Sequence, residues 1–123
     1  MAAVSVRYIV SDVDAAIEFY TKALGFEVKM RPAPTFAWLE RGELRLLLNS
    51  PGPGGGGSDV GGKTPEPGGW NRFQVEVPDL EATFGELSAA GRKFRSEVIQ
   101  GTGGKQVIIE DPSGNPVELF QGP

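Results

Sequence analysis

The chain lacks two residue types that carry much of protein chemistry: none of its 123 residues is a histidine or a cysteine. Without cysteine there is no disulfide, no thiolate nucleophile and no thiolate metal ligand. Without histidine, the commonest protein ligand of metals and the usual general base near neutral pH are both missing. Metal binding or acid–base chemistry would therefore have to use carboxylates.

Long apolar runs and basic runs are missing as well. No stretch approaches the roughly 20 apolar residues that a membrane-spanning helix needs. The net charge is −4, and no basic cluster offers a surface for phosphates. The first residues resemble a strand and not the charged and apolar parts of a signal peptide. These features predict a cytoplasmic protein whose partners include neither nucleic acid nor a membrane.

An internal repeat is the strongest positive signal, because residues 6–23 recur as residues 73–90. Each copy has a run of alternating apolar residues, an aspartate, and a helix with apolar residues at i, i+4 and i+7. Asp12 and Asp79 occupy the N-cap position in the two copies. Gly25 and Gly91 follow the helices and favour their termination. The repeat predicts an α+β fold built from two βαβββ modules.

The remaining strands follow from apolar runs bounded by turn residues. We predict them at residues 27–31, 36–40 and 44–49, and again at 94–99, 106–110 and 116–121. A module of roughly 60 residues is marginal alone, so we predict one domain, 1–123, with module one at 1–50 and module two at 70–123. Glycine and proline dominate the connecting loop 51–69. This composition predicts a tether that is mobile without ligand; the alternative is a lid over a ligand cavity.

Three motifs add to the repeat: DVDAAIEFY at 12–20, LGF at 24–26 and DPSGNPVEL at 111–119. Together they resemble the vicinal oxygen chelate superfamily, which includes glyoxalase I, bleomycin-resistance proteins, fosfomycin-resistance proteins and extradiol dioxygenases. The resemblance implies a glyoxalase-like fold in which each module supplies a half-barrel around a ligand cavity. It also implies a homodimer. It is specific for the fold and not for a reaction.

Side chains alternate along a strand between the helix side and the cavity side. This parity, applied to the implied fold, predicts the polar residues that face the cavity, with two tryptophans beside them. The predicted ligand-binding residues are Ser5, Arg7, Trp38, Arg45, Trp70, Arg72, Gln74 and Glu118. One interpretation is an anionic or planar ligand held by arginine and stacked on an aromatic ring. The other is a vestigial site filled by ion pairs, Arg72 with Glu118 and Arg7 with Glu76. We expect Trp70 to anchor the loop, with roofing of the cavity as the alternative, and Phe36 to lie in the core.

The resemblance also implies where a metal would bind, since metal enzymes of the superfamily usually place one ligand on each of four strands. These positions fall on Ser5, on or next to Leu47, on Arg72 and on Glu118. Leucine has no donor atom, and a guanidinium is a permanent cation without a lone pair to donate. We therefore predict no metal and no other cofactor. A replacement oxygen site from three glutamates, for Mg²⁺ or Mn²⁺, is the alternative; its members would be Glu76, Glu110 and Glu118.

Two functions follow from this pattern. The first is a small-molecule-binding protein of the glyoxalase and bleomycin-resistance type that binds its ligand without the usual divalent metal. The alternative is an enzyme of the lyase or isomerase type. In that case Glu118 or Glu76 would be the catalytic general base, with Arg72 stabilising an enolate.

Overall fold

The computed structural model describes residues 3–123. The chain divides into two compact units, Met1–Pro67 and Gly68–Pro123. Most of the segment between the two repeats therefore belongs to the first unit. That both units act together as one domain stays a prediction.

The first unit is one helix packed on a four-stranded sheet. Its elements are β1 (Ser5–Ile9), α1 (Val13–Lys22), β2 (Glu27–Ala33), β3 (Phe36–Arg41) and β4 (Leu44–Asn49). The strand order is β1-β4-β3-β2, with β1 parallel to β4 and the other pairs antiparallel. Buried side chains of the sheet and of α1 form the core of this unit; they include Tyr8, Ala16, Phe19, Tyr20, Ala37, Leu39, Leu46 and Leu48.

The second unit repeats this plan with one change. Its elements are β5 (Gln74–Glu76), α2 (Leu80–Ala89), β6 (Lys93–Phe94), β7 (Ile99–Gly101), β8 (Gly104–Glu110) and β9 (Pro116–Gln121). The order is β5-β9-β8-β6, and β7 also pairs with β8. The continuous strand predicted at 94–99 is wrong, because two short strands, β6 and β7, replace it. The residues at 95–97 are Arg, Ser and Glu, which supply no apolar side chain to hold a strand in the sheet.

The helix signals in the repeat are confirmed in both units. Asp12 Oδ1 accepts a hydrogen bond from the Ala15 amide at 3.1 Å, and Asp79 Oδ1 accepts one from the Ala82 amide, also at 3.1 Å. These bonds satisfy amides that the first turn of a helix leaves without a partner. Each helix begins directly after its aspartate. The position of β1 and β5 relative to their helices is therefore set by the same local chemistry.

A turn at residues 111–115 joins β8 to β9, as expected between the strands predicted at 106–110 and 116–121. Hydrogen bonds within the turn itself stabilise it. Asp111 is buried, and its Oδ1 accepts hydrogen bonds from the amides of Ser113 and Asn115, both at 2.9 Å. The Gly114 amide donates to the Asp111 carbonyl at 2.9 Å, and Gly114 has a φ of 84° that favours glycine. This turn aligns β9 with β8. Within residues 3–123, no helix is long and apolar enough to cross a membrane.

Candidate ligand-binding site

In the first unit, the polar face of the sheet carries the predicted residues. The register pairs Ser5 with Arg45 and places both Arg7 and Trp38 opposite Leu47. Paired residues in neighbouring strands point to the same face of a sheet. Most of the neighbouring positions in these strands are buried residues of the core. The predicted side-chain parity of β1, β3 and β4 is therefore confirmed.

Trp38 and Arg45 form a contact pair on this face. The guanidinium carbon of Arg45 lies 5.0 Å from the centre of the Trp38 ring, within the range of a cation–π interaction. Arg45 Nε is also 4.0 Å from Glu40 Oε2. The indole Nε1 of Trp38 is buried, and no group in the described part of the chain accepts its hydrogen bond. An unsatisfied buried donor costs about 1–3 kcal/mol, so an acceptor at this position would be stabilising.

In the second unit, Glu118 lies at the centre of a polar network. It is 9% exposed. Its Oε1 accepts from Arg72 Nε at 3.0 Å and lies 2.9 Å from Arg72 Nη2. Its Oε2 accepts from Gln74 Nε2 at 2.7 Å. The predicted ion pair between Arg72 and Glu118 is confirmed, and both carboxylate oxygens are already used.

Glu76 differs from Glu118 in its surroundings, although both lie on the same face of the sheet. The register pairs Gln74 with Glu118 and Glu76 with Phe120. Glu76 is exposed. The carboxylate of Glu76 makes no hydrogen bond or ion pair with any other residue of the described chain. It is therefore solvated, whereas the Glu118 carboxylate is held by protein donors.

Trp70 and Arg95 form a second cluster in this unit. Arg95 lies 4.6 Å from the centre of the Trp70 ring and donates to the carbonyls of Gly69 and Gly114 at 2.8 Å and 3.0 Å. Its Nε also donates to Glu110 Oε2 at 2.9 Å. Trp70 itself is 69% exposed. Arg95 thus connects Gly69, at the end of the loop, to Glu110 and Gly114, and the anchoring role of Trp70 stays a prediction. No local sequence signal identifies Arg95, because its partners lie 15 to 26 residues away in the chain.

The donor set does not fit a divalent metal. Among the four positions that the resemblance implies, Leu47 offers no donor, Arg72 is a cation, and Glu118 is neutralised by that cation. Ser5 is exposed, and a neutral hydroxyl alone is a weak ligand. Two of the three glutamates of the alternative oxygen site are also engaged, since Glu110 pairs with Arg95 and Glu118 with Arg72. Within residues 3–123, no group of three or more carboxylates is close enough to hold a metal ion.

A pocket of about 360 Å³ lies in the first unit, between the end of β4 and the glycine-rich segment. Arg7 and Asn49, both on the predicted ligand face, line it, and so do Phe36 and the backbone of residues 52–57. The prediction that Phe36 lies in the core is wrong, because its side chain is only partly buried. The sequence pattern correctly places Phe36 at the start of a strand. It does not reveal that the glycine-rich segment and Phe36 line the same pocket.

The comparisons with known proteins agree with this fold. A model of the Glyoxalase/Bleomycin resistance protein/Dioxygenase superfamily matches residues 3–119. The chain therefore belongs to this superfamily, and the α+β fold expected from the repeat is confirmed. A probable chloroplastic lactoylglutathione lyase of Arabidopsis thaliana is 34% identical over 129 residues, covering 94% of this chain and 34% of the relative. The chain thus spans about a third of the length of this curated relative.

Two solved structures illustrate the range of proteins with this fold. A lactoylglutathione lyase from Agrobacterium tumefaciens has 24% identity and a TM-score of 0.74, covering 98% of this chain and 93% of that chain. TnmS3, an antibiotic binding protein from Streptomyces, has 23% identity and a TM-score of 0.74, covering 100% of this chain and 97% of that chain. At these identities the likeness shows the fold alone.

Proposed function

We propose that this chain is a small-molecule-binding protein of the glyoxalase and bleomycin-resistance type that binds its ligand without a divalent metal. The observation that carries the proposal is the state of Glu118. Of the four implied ligand positions, it alone could bind a metal well, and Arg72 and Gln74 occupy both of its oxygens. Releasing the carboxylate for a metal would require breaking a largely buried ion pair and would leave Arg72 beside the metal. That arrangement is electrostatically unfavourable.

Two features of the first unit support ligand binding. The Trp38 indole presents its ring to Arg45 and keeps a buried N–H without an acceptor. Arg7 lines a pocket whose volume of about 360 Å³ falls within the range of small-molecule sites. Three of the predicted ligand-binding residues of the second unit already form one network, in which Arg72 and Gln74 both donate to Glu118. These side chains would therefore present a fixed polar surface to a ligand rather than free hydrogen-bond donors.

The experiment is a measurement of metal content followed by a ligand screen. We expect purified protein to contain less than stoichiometric metal, and treatment with EDTA to leave the melting temperature unchanged. Planar and anionic compounds, and antibiotics, are then screened for stabilisation of the treated protein; a bound ligand raises its melting temperature by mass action. Tightly bound stoichiometric metal that is required for binding would contradict the proposal.

Enzymatic activity of the lyase type is a second candidate, favoured by the 34% identity to the probable lactoylglutathione lyase. In this case Glu118 or Glu76 would act as general base. The network around Glu118 disfavours that residue, because its lone pairs already accept three contacts from Arg72 and Gln74. Formation of lactoylglutathione by the pure protein, lost in Glu118→Gln or Glu76→Gln but not in the control Glu81→Gln, would establish this candidate in place of the first.

We also propose that the protein is a homodimer. The strand β2 is an edge of its sheet, and it exposes two large apolar residues, Val28 at 42% and Met30 at 46%. Edge strands with exposed apolar residues are commonly covered by a partner. Light scattering at micromolar concentration should give twice the chain mass of 13.1 kDa. A mass of a single chain would refute the dimer.

A further inference from the structure

The pocket of the first unit has an unusual charge balance. Arg7 is the single charged residue among those that line it, although the chain as a whole has a net charge of −4. No carboxylate of the described residues lies within ion-pair distance of Arg7, in contrast to Arg31, Arg45, Arg72 and Arg95. The pocket is therefore locally positive, and a monovalent anion would complete it.

Arg7 is exposed, and its neighbours orient its side chain without neutralising its charge. Arg7 Nε donates to Asn49 Oδ1 at 2.8 Å. Asn49 is itself buried, with 6% of its surface exposed, and its Nδ2 lies 3.5 Å from the Thr35 carbonyl. A guanidinium has five N–H groups, so the four on the terminal nitrogens remain for another acceptor. These terminal nitrogens match both oxygens of a carboxylate, which is the geometry of strong paired hydrogen bonds.

The glycine-rich segment packs directly on this arginine. A Cβ atom at Gly56 would collide with Nε and Cζ of Arg7, and one at Gly57 would collide with the Ser50 carbonyl oxygen. Neither residue has a positive φ. Glycine is therefore required here by close approach and not by backbone conformation. Bonds from the Gly52 amide to the Gly57 carbonyl, at 2.9 Å, and from the Ser58 amide to the Gly55 carbonyl, at 3.1 Å, close the segment into a compact loop.

This loop also offers unused donors. Gly54 and Gly56 line the pocket, and the amide of neither residue donates a hydrogen bond to another group of the described chain. Backbone amides without partners are good donors to a negatively charged group. Phe36 also lines the pocket and adds an aromatic surface for the apolar part of a ligand.

We propose that this pocket binds the carboxylate group of a small aromatic acid, with Arg7 and the loop amides as donors and Phe36 as the apolar wall. The proposal deepens the proposed function and rests on it, since it names the ligand class and the subsite. A carboxylate is preferred over a phosphate because a single unpaired arginine balances one negative charge.

The test is isothermal titration of the EDTA-treated full chain with 2-naphthoate, its neutral analogue 2-naphthamide, and naphthyl phosphate. We expect 2-naphthoate to bind at least about tenfold more tightly than the amide, since loss of a charge-assisted pair weakens binding by about that factor. Arg7→Gln should lower the affinity for 2-naphthoate by a similar factor. Arg41→Gln is the control, because it changes the net charge equally at an exposed residue at the end of β3.

A second pair of variants tests the loop independently of the charge. Gly56→Ala would displace the Arg7 guanidinium and should weaken 2-naphthoate binding several-fold. Gly103→Ala, outside the pocket, also meets open space and should leave the affinity unchanged. The inference would be overturned by equal affinity for the acid and the amide, by absence of 2-naphthoate binding, or by tighter binding of the phosphate. It would also be overturned if neither Arg7→Gln nor Gly56→Ala changed the affinity for 2-naphthoate. In that case, metal-free binding of another ligand would still support the proposed function. If binding instead requires a metal, the proposed function is refuted, but an effect of Arg7→Gln on the affinity for 2-naphthoate would still support the carboxylate subsite.

Discussion

The replacement Arg72→Gln tests the central network of the second unit. The side chain of Arg72 is 27% exposed and that of Glu118 is 11% exposed. The pair therefore lies between exposed ion pairs, which contribute about 0–1 kcal/mol, and fully buried pairs, whose disruption costs about 3–5 kcal/mol. After the change, Gln74 Nε2 is the remaining donor to Glu118. We expect a loss of about 2 kcal/mol in the free energy of unfolding.

Thermal and urea denaturation measure this loss. For a domain of this size, about 1 kcal/mol corresponds to about 4 °C in melting temperature, so we expect a decrease of about 8 °C. In the double-mutant cycle with Glu118→Gln, the two changes should show a coupling energy of about 1–2 kcal/mol. Lys105→Gln is the control in the same unit, because Lys105 pairs with Glu81 at 3.5 Å where the side chains are 33% and 64% exposed. If Arg72→Gln lowers the free energy of unfolding no more than the control does, or if the two changes in the cycle are additive, the pair does not stabilise the fold as described.

Other predictions concern the helix caps, the glycine loop and the metal site. Removal of either aspartate cap, by Asp12→Ala or Asp79→Ala, should lower the free energy of unfolding by about 1 kcal/mol; urea denaturation that shows no loss in either variant would contradict the cap assignment. Gly57→Ala should lower the free energy of unfolding by about 1–3 kcal/mol, because its Cβ would meet a main-chain carbonyl. The control Gly55→Ala should change it by less than about 0.5 kcal/mol. Equal losses in the two variants would show that the loop does not pack as described. Arg72→His should create weak Zn²⁺ or Ni²⁺ binding, measured as a metal-dependent rise in melting temperature that the wild-type protein lacks; an equal rise in both proteins would mean that the arginine does not exclude metal.

The parts of the fold that the sequence predicts depend on local chemistry. An aspartate cap acts within one turn of helix, so Asp12 and Asp79 identify both helix starts in any context. The apolar run of β4 and the turn residues that bound it are equally local, and the predicted bounds, residues 44–49, are those of the structure. The ion pair between Arg72 and Glu118 was also predictable, but for another reason. The internal repeat and the superfamily motifs together imply which strands are neighbours, and parity then places both side chains on one face.

The parts that the sequence does not predict depend on contacts between distant residues. The split of the strand at 94–99 coincides with Arg95, whose partners Gly69, Glu110 and Gly114 lie 15 to 26 residues away in the chain. The close approach of Gly56 to Arg7 likewise joins two segments that the sequence pattern treats as unrelated. Composition indicates a flexible loop because glycine favours disorder. Composition does not reveal that glycine is also the residue that lets a main chain contact a guanidinium.

The two arginines on the predicted ligand faces of the two sheets show why residue type alone does not assign a role. Arg72 falls on one of the metal-ligand positions that the resemblance implies, and Arg7 is paired with another of them, Leu47. Arg72 has a carboxylate partner at 2.9 Å, so its charge is neutralised and its contribution is to the geometry of Glu118 and Gln74. Arg7 has a neutral amide partner, Asn49, so its orientation is fixed while its charge stays unbalanced. An anion gains more from the second arrangement, because it does not have to compete with a resident carboxylate.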